Sequence, residues 1–335
     1  MKNLLKSLLF IIITLFVVDR VGGQIMWWVN QHTQDISGPK LKYLANEVNE
    51  DVVFLGTSRC NFHYVPSILS DSLGLSVYNG GIDASNCIYA HYFVLNQILR
   101  HHTPQIICLE LMTSDYTYSN DSFETTSFFA PYIGRCERAD SIFREAGNYW
   151  PYRLCHLYRY NAKAVSNIGG LLVNKQQGSD NGYIPLPEPN FHPEEAREAH
   201  TSQHIDNLKL QYVQKFISLC KSNNIKLVFM ISPAYTIADM DLYDILKDIA
   251  KKNDVPFFDY HTSGLFLDHP EYFKDGSHLW HKGAQLYSST RWRSYNNAYL
   301  TLPMGLPLTL FRYCKTVKPV IFPSTLVNSP FTSFA

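Results

Sequence analysis

Short apolar runs alternate along the chain with segments whose apolar positions recur at helical spacing. The runs predict five strands, over residues 51–55, 75–78, 105–111, 225–231 and 255–259. The periodic segments predict helices over residues of about 84–100, 205–222 and 239–252. Strands that are apolar throughout are typical of a parallel sheet with helices on both faces. The pattern therefore predicts an α/β fold, a three-layer α/β/α sandwich around a mostly parallel five-stranded sheet.

One long segment, over residues of about 112–204, interrupts this alternation. It is rich in Tyr, Phe and Trp, and its sequence predicts helices over residues 139–146 and 152–168, followed by a loop. Insertions at the edge of a sheet often act as lids or as walls that shape a binding site. An inserted cap is therefore one interpretation, and an aromatic cluster that only covers the sheet is the other.

The N-terminus carries a targeting pattern. An apolar run over residues 4–18 begins beside Lys2 and Lys6 and ends at an Asp-Arg pair, and a basic start followed by such a run is typical of export. As a helix the run would rise about 22 Å, short of the roughly 30 Å hydrocarbon core of a bilayer. We expect residues 1–23 to be a signal peptide or a membrane anchor, and a buried core helix is the alternative. The rest of the protein would then face outside the cytoplasm, periplasmic or extracellular, and would be secreted if the segment is cleaved.

The C-terminal part does not match the rest of the chain. Asp275 is the last acidic residue, and a helix predicted to begin near Lys282 loses its amphipathic pattern after Ser289. The sequence that follows contains several prolines, which discourage a helix. We hypothesise that the reading frame or natural end was lost near residues 288–290, so that residues 291–335 form an atypical tail outside the fold. Resequencing the locus tests this, and an intact frame there would remove the idea.

Composition narrows the classes of function. Hydrophobic residues make up 46% and charged residues 17% of the 335 residues, which suits a globular domain with a sizeable core. The 29 basic and 29 acidic side chains balance, so there is no overall attraction for nucleic acid, and we expect no nucleic-acid partner. The seven cysteines include no Cys-x-x-Cys pair, which argues against zinc-ribbon and thioredoxin-like sites. Cys108, in a predicted strand, is expected to be a small buried apolar residue, and no cofactor is expected.

Two short stretches carry candidate chemistry. Ser58 follows the first predicted strand in Gly56-Thr57-Ser58-Arg59, while Asp275 precedes His278 by three residues near a predicted helix start. A serine hydroxyl becomes a good nucleophile when an imidazole takes its proton and a carboxylate fixes the tautomer of that imidazole. The carboxyl ends of parallel strands meet at one edge of a sheet, so these groups can converge there. The alternative is that the serine and the aspartate only cap helices.

These stretches resemble the blocks of the SGNH hydrolase superfamily, the GDSL-like lipases and esterases, and especially its exported bacterial members. The resemblance covers about residues 50–288 apart from the insertion, within a domain over residues 48–290 that contains the insertion at about 112–204. It implies a flavodoxin-like fold in which Ser58 is the nucleophile, His278 the general base and Asp275 its orienting partner.

The resemblance also implies an oxyanion hole. The family's Asn-x-Gly block corresponds to Asn79-Gly80-Gly81, so the backbone N–H groups of Ser58 and Gly81 are the implied donors. The family's third block, Gly-x-Asn-Asp, is missing after the third strand, and loss of one such donor costs about a hundred- to a thousand-fold in turnover. Asn79 and Asn86 are the candidates to replace the missing side-chain donor.

Together the residues and the resemblance predict hydrolysis of carboxylic esters, on a small molecule or a glycan, with release of acetyl or other short acyl groups through an acyl-serine intermediate. Two alternatives stay open: an O-acyltransferase that acts on envelope polysaccharide, and a non-catalytic envelope binding protein with the same fold. Membrane contact is expected through the N-terminal segment only.

Two further residues near the blocks have more than one interpretation. His281 would complete an Asp-x-x-His-x-x-His metal pattern with Asp275 and His278, but no further His or Cys cluster supports it, and we expect no metal. A packing or substrate-edge role for His281 is the preferred interpretation. Arg59 is expected to form a structural ion pair, with an anionic group of the substrate as the alternative partner.

Overall fold

Five parallel strands form one sheet in the order β2-β1-β3-β4-β5. The computed structural model describes residues 1–35, 37–119, 126–172, 180–189, 191–193, 204–236, 240–261 and 263–290. The strands are β1 (Val52–Leu55), β2 (Val77–Asn79), β3 (Ile106–Glu110), β4 (Lys226–Ile231) and β5 (Phe257–Asp259). Each lies within two residues of its predicted bounds, because uninterrupted buried runs leave little choice of secondary structure.

Helices flank the sheet on both faces. They are α1 (Lys2–His32), α2 (Ser37–Asn46), α3 (Ser58–His63), α4 (Pro66–Leu73), α5 (Ile88–Ile98), α6 (Glu137–Glu145), α7 (Tyr149–Leu154), α8 (Ala164–Leu172), α9 (Asn207–Ser222), α10 (Met240–Lys252), α11 (Gly264–Leu267) and α12 (His281–Thr290). Helix α5 contacts α2 and α9 on one face, and α12 contacts α3 and α4.

The alternation of side chains along each strand sorts the two faces. Val53 and Leu55 of β1 join the hydrophobic cluster that contains α2 and α5, whereas Phe54 packs on Tyr64, which follows α3. Successive strand side chains point to opposite faces, so α3 lies across the sheet from α5. The predicted three-layer α/β/α sandwich with a parallel five-stranded sheet is confirmed.

The insertion differs from its predicted helices in one respect. The helix predicted over residues 152–168 is wrong, because the chain forms α7, a 3₁₀ turn at Leu157–Tyr160, and α8. Cys155 has an extended backbone, with φ −105° and ψ 105°, and an extended residue ends a helix. Periodicity alone does not reveal such a break.

The insertion serves two places in the fold. Its aromatic rings, including Phe129, stack on Phe93 of α5 and extend the core. Residues 180–189 instead run beside α3 and the start of α12, where the Ile184 N–H donates to the Asn61 carbonyl and the His281 N–H donates to the Leu186 carbonyl. The aromatic part of the insertion therefore packs on the core at α5, whereas residues 180–189 lie beside α3 and α12.

Helix α1 has an exposed half and a packed half. The apolar side chains before Asp19 are exposed, Leu4 by 75%, so the alternative of a buried core helix is wrong. At Asp19 the helix meets the insertion, because this carboxylate accepts the N–H groups of His156 and Leu157 at 2.9 and 3.0 Å. Within the described part of the chain, no helix combines the length and the apolar character that a membrane crossing requires.

The predicted tail over residues 291–335 lies outside the described residues. In the part that is described, Cys60, Cys87, Cys108, Cys136, Cys155 and Cys220 form no disulfide. Cys108 is 1% exposed, and burial raises the pKa of its thiol. It is the buried apolar residue that its strand context predicted.

Candidate active site

Ser58 is placed by the turn that follows β1. The strand ends at Leu55, Gly56 and Thr57 turn the chain, and Ser58 is the first residue of α3. Thr57 is the N-cap of this helix, and its side-chain oxygen accepts the Ser58 N–H. A hydroxyl in the first turn of a helix lies among backbone N–H groups that the helix leaves unpaired. The turn thus carries Ser58 to the carboxyl edge of the sheet.

The structure brings Ser58, His278 and Asp275 together. The Nε2 atom of His278 lies 2.8 Å from the Ser58 Oγ, and its Nδ1 atom lies 2.9 and 3.0 Å from the two oxygens of Asp275. Both are hydrogen-bond distances. The imidazole therefore connects a hydroxyl on one side to a carboxylate on the other, although 220 positions separate Ser58 from His278.

The Asp275 carboxylate is held in its ionised form. One of its oxygens also accepts the backbone N–H groups of Ser277 and His278, at 2.8 and 3.0 Å. Burial raises the pKa of Asp275, but the hydrogen bond and charge of His278 and the two backbone bonds outweigh it, so the pKa lies below its usual value. The carboxylate and a neighbouring Nδ1–H fix one tautomer of His278, which leaves Nε2 free to accept the serine proton.

Backbone bonds from three directions fix the loop that carries His278. The Lys274 N–H donates to the His278 carbonyl at 2.7 Å, and the Thr236 N–H donates to the Gly276 carbonyl at 2.7 Å. The Leu279 N–H donates to the Nε2 atom of His63 at 2.9 Å. The loop is thereby tied to itself, to the chain after β4 and to α3.

The oxyanion donors implied by the resemblance all have hydrogen-bond partners in this structure. The Gly81 N–H donates to the side-chain oxygen of Asn79 at 3.0 Å, and the Asn79 amide donates to the carbonyls of Cys60 and Tyr64 at 2.7 and 2.8 Å. Asn79 is fully buried. Gly81 and Asn79 therefore hold the loop to α3. The Ser58 N–H is likewise paired, with Thr57 as its present acceptor, so the oxyanion role of Ser58, Gly81 and Asn79 stays a prediction.

Gly81 is required by close packing. A Cβ atom on it would lie 2.4 Å from the Asn61 nitrogen, which no side chain allows. The Gly81 carbonyl in turn accepts the buried Lys40 Nζ at 2.7 Å. Burial lowers the pKa of Lys40 to about 7, although the nearby Cys60 and Asp83 raise this pKa by a smaller amount.

A turn over residues 82–86 borders the serine. The Ile82 N–H donates to the Gly56 carbonyl at 2.9 Å, and the Thr57 hydroxyl donates to the side-chain oxygen of Asn86. Asn86, unlike Asn79, thus contacts the residue next to Ser58. Ala84 in this turn has φ 58°, a left-handed conformation that costs an alanine roughly 1–2 kcal/mol. A single sequence gives no signal for an alanine in that conformation, and we did not predict it.

The neighbouring charged residues have structural partners. The Arg59 Nε lies 3.4 Å from Glu110, and both side chains are buried, so the predicted ion pair is confirmed. The His281 Nδ1 lies 3.0 Å from the Tyr183 hydroxyl, while Asp275 and His278 face each other. Among the described residues, no group of three or more His, Cys, Asp or Glu is placed to hold a metal ion. The packing interpretation of His281 fits this geometry.

Three buried polar residues near the site were missed from the sequence. His63 at the end of α3, Glu110 at the end of β3 and Ser232 just after β4 form a hydrogen-bonded chain to Leu279. Glu110 and Ser232 end apolar strands, which was the available signal. At the end of β3, the only sequence-based prediction concerned the missing third block of the family.

No family model and no curated protein matches this chain. The matches are among solved structures. A putative acylhydrolase from Bacteroides fragilis is similar at 17% identity and a TM-score of 0.38, over 77% of this chain and 94% of that one. A putative lipolytic protein of the G-D-S-L family from Desulfitobacterium hafniense is similar at 12% identity and a TM-score of 0.38, over 72% and 98%. An acetyl xylan esterase is similar at 12% identity and a TM-score of 0.36, over 74% and 98%. At identities and TM-scores this low, the likeness transfers neither an activity nor a substrate.

Proposed function

We propose that this protein is a serine ester hydrolase of the SGNH type. The observation that carries the proposal is the hydrogen-bonded series Ser58–His278–Asp275, with 2.8 Å from hydroxyl to imidazole and 2.9 Å from imidazole to carboxylate. Three residues from two distant stretches meet in the order that nucleophilic catalysis needs. Simple helix capping by Ser58 would not explain the imidazole at its oxygen.

The proposed reaction has two steps. The Ser58 Oγ attacks the acyl carbon as His278 Nε2 takes its proton, and the carbon–oxygen bond to the alcohol then breaks while His278 returns the proton to the leaving oxygen. A water molecule next gives a proton to His278 and attacks the acyl-serine, which releases the carboxylic acid and restores the serine. Asp275 stabilises the imidazolium that forms in each step, and the Ser58 N–H is the proposed donor to the developing oxyanion.

The exposure of the site supports an acyl group on a large carrier. The His278 side chain is 22% exposed and that of Asp275 is 53% exposed, so the imidazole and carboxylate lie at the surface. A short acyl group on a glycan can reach such a site without the carrier entering the protein. We therefore propose acetyl or other short acyl esters on glycans as the substrate class. From the N-terminal pattern we further propose a location outside the cytoplasm, with membrane contact through residues 1–23. Protection from added protease in spheroplasts, whose cytoplasmic membrane is intact, would contradict that location.

Serine-directed labelling tests the proposed mechanism. The full chain is treated with a fluorophosphonate, and the wild type is compared with Ser58→Ala and with Ser222→Ala, a control at an exposed serine of α9. We expect labelling of the wild type and of the control, and none of Ser58→Ala. Absence of label on the wild type would favour a non-catalytic binding protein, and label on Ser58→Ala would show that another residue is the nucleophile.

Product analysis with acetylated glycans separates hydrolysis from transfer. Release of acetate that depends on Ser58 is the expected result. Acetyl groups recovered on an added sugar, with little free acetate, would identify the acyltransferase alternative instead.

A further inference from the structure

A buried polar network lies beneath the proposed site and joins it to the ends of two strands. Glu110, at the end of β3, accepts the Ser232 hydroxyl at 2.7 Å and the Ser232 N–H at 2.9 Å. It also accepts the Tyr64 hydroxyl and pairs with Arg59 at 3.4 Å. Each of these side chains is at most 2% exposed. A carboxylate this deeply buried is tolerated because a cation and several donors surround it.

His63 connects this network to the loop of the proposed base. Its Nδ1 atom lies 2.8 Å from the Ser232 hydroxyl, and its Nε2 atom accepts the Leu279 N–H at 2.9 Å. Since the backbone N–H can only donate, Nε2 is the acceptor, and Nδ1 carries the proton that Ser232 accepts. The Ser232 hydroxyl then donates to Glu110. Each hydrogen bond in the series from Leu279 through His63 and Ser232 to Glu110 therefore has a defined donor and a defined acceptor.

We propose that Glu110, Ser232 and His63 are positioning residues that fix the Leu279 peptide and thereby hold His278 in line with Ser58. This inference rests on the proposed function. Leu279 directly follows His278, and His63 lies on the same six-residue helix as Ser58. The network thus ties the nucleophile and the base to one rigid support, the ends of β3 and β4. A displacement of about 1 Å at a reacting group can cost a hundred-fold in rate, which gives such a support its value.

Burial and the nearby charges keep His63 in the neutral form that this role needs. Burial lowers the pKa of His63 well below its usual value, and the nearby His278 and Arg59 lower it further. A protonated His63 would carry a hydrogen on Nε2 and could not accept the Leu279 N–H. The other groups around the network are Glu110, Tyr64 and Tyr287, and burial raises the pKa of each.

The test compares two variants, each of which lacks the hydroxyl group of one buried serine. Ser232→Ala removes the link between His63 and Glu110 but leaves the Ser232 N–H bond to Glu110. Ser288→Ala is the matched control, because Ser288 is also fully buried and its hydroxyl hydrogen-bonds to backbone groups, accepting the Val65 N–H and donating to the His63 carbonyl. We expect Ser232→Ala to lower the rate of fluorophosphonate labelling about 10- to 100-fold, with KM for a small ester unchanged, and the control to keep the wild-type rate.

A second pair of variants tests the acceptor on His63. Gln at position 63 offers an oxygen near the place of Nε2, whereas Leu offers none, so His63→Gln should retain more activity than His63→Leu. Thermal unfolding of each variant separates lost alignment from lost folding. Wild-type labelling rates in both Ser232→Ala and His63→Leu would overturn the proposal, and so would rate losses that only follow the losses in stability.

Imidazole nitrogen NMR gives a readout that needs no activity. In the wild type we expect His63 as the neutral Nδ1–H tautomer between pH 6 and 8. The opposite tautomer, or a protonated ring, would overturn the inference. Failure of the proposed function looks different, because the wild type would then not be labelled at all whatever the state of His63.

Discussion

Asp275 shows how much of the proposed chemistry depends on one half-exposed carboxylate. It accepts two backbone N–H groups of its own turn as well as the imidazole. The alternative that Asp275 caps a helix is wrong, because α12 begins only at His281. The two backbone bonds instead hold the carboxylate where it faces the imidazole.

Replacement of this carboxylate by its amide should reverse the tautomer. In Asp275→Asn the amide can donate to His278 Nδ1, which leaves a hydrogen on Nε2, where the serine proton must be accepted. We expect a loss in kcat of about 10³- to 10⁴-fold, as for such a change in a Ser-His-Asp triad, while the fold is kept. Rates of ester hydrolysis and thermal unfolding measure the two effects. A loss below ten-fold would show that Asp275 does not orient the base.

At the scale of the elements, the chain after β2 determines where α3 lies. Asn79 binds carbonyls of α3 and of the residue after it, and Gly81 lies against the backbone of Asn61. The pattern Asn-x-Gly is thus explained by packing in this protein. The same contacts pair the Gly81 N–H with the Asn79 side chain, as Thr57 pairs the N–H of Ser58.

Gly81→Ala should displace α3 and with it the serine. The added methyl group would meet backbone atoms, which cannot move aside as a side chain can, so we expect a loss of about 2–3 kcal/mol in the free energy of unfolding and little fluorophosphonate labelling. Gly169→Ala in α8 is the matched control, because nothing lies within 4 Å of its Cβ position. That control should be neutral or stabilising by up to about 1 kcal/mol. Equal stability of the two variants would contradict the packing argument.

For the whole molecule, buried neutral histidines link folding to pH. His261 is 1% exposed, and its Nε2 lies 3.2 Å from the Thr236 carbonyl. Burial lowers the pKa of His261 to about 4, with a smaller contribution from Arg59, and burial lowers the pKa of His63 as well. The unfolded chain therefore binds protons at a higher pH than the folded one. The contribution of these two histidines to stability is full above about pH 6.5 and declines as the pH falls towards 4.

Urea unfolding at several pH values tests this dependence. We expect the free energy of unfolding to rise between pH 7 and 8, because the lowered pKa of Lys40 leaves the folded chain with fewer bound protons than the unfolded one, and to fall by about 1–3 kcal/mol between pH 6.5 and 4 through His261. His261→Phe should reduce the slope in that window, while His269→Ala, at an exposed histidine, should not. An unchanged slope in His261→Phe would show that its burial does not produce the loss.

The sequence predicted the sheet and the triad because each rests on a local signal. Continuous apolar runs gave the five strands, and the order of the two blocks gave Ser58, Asp275 and His278. The short helices α3 and α4, the break at Cys155 and the left-handed Ala84 were missed, because they depend on capping and tertiary contacts that periodicity does not report. The His63–Ser232–Glu110 chain was missed for the same reason, since its members come from three separate elements.

The buried Glu110 also sets a limit for protein engineering. A designer who transplants the family's Gly-x-Asn-Asp motif onto the end of β3, in order to gain an oxyanion donor, would replace this carboxylate with glycine. The guanidinium of Arg59 would then be left inside the protein without a counter-charge, a change that typically costs about 3–5 kcal/mol. Such a graft therefore requires simultaneous redesign of Arg59 and Ser232, and a safer starting point is the surface around Asn86.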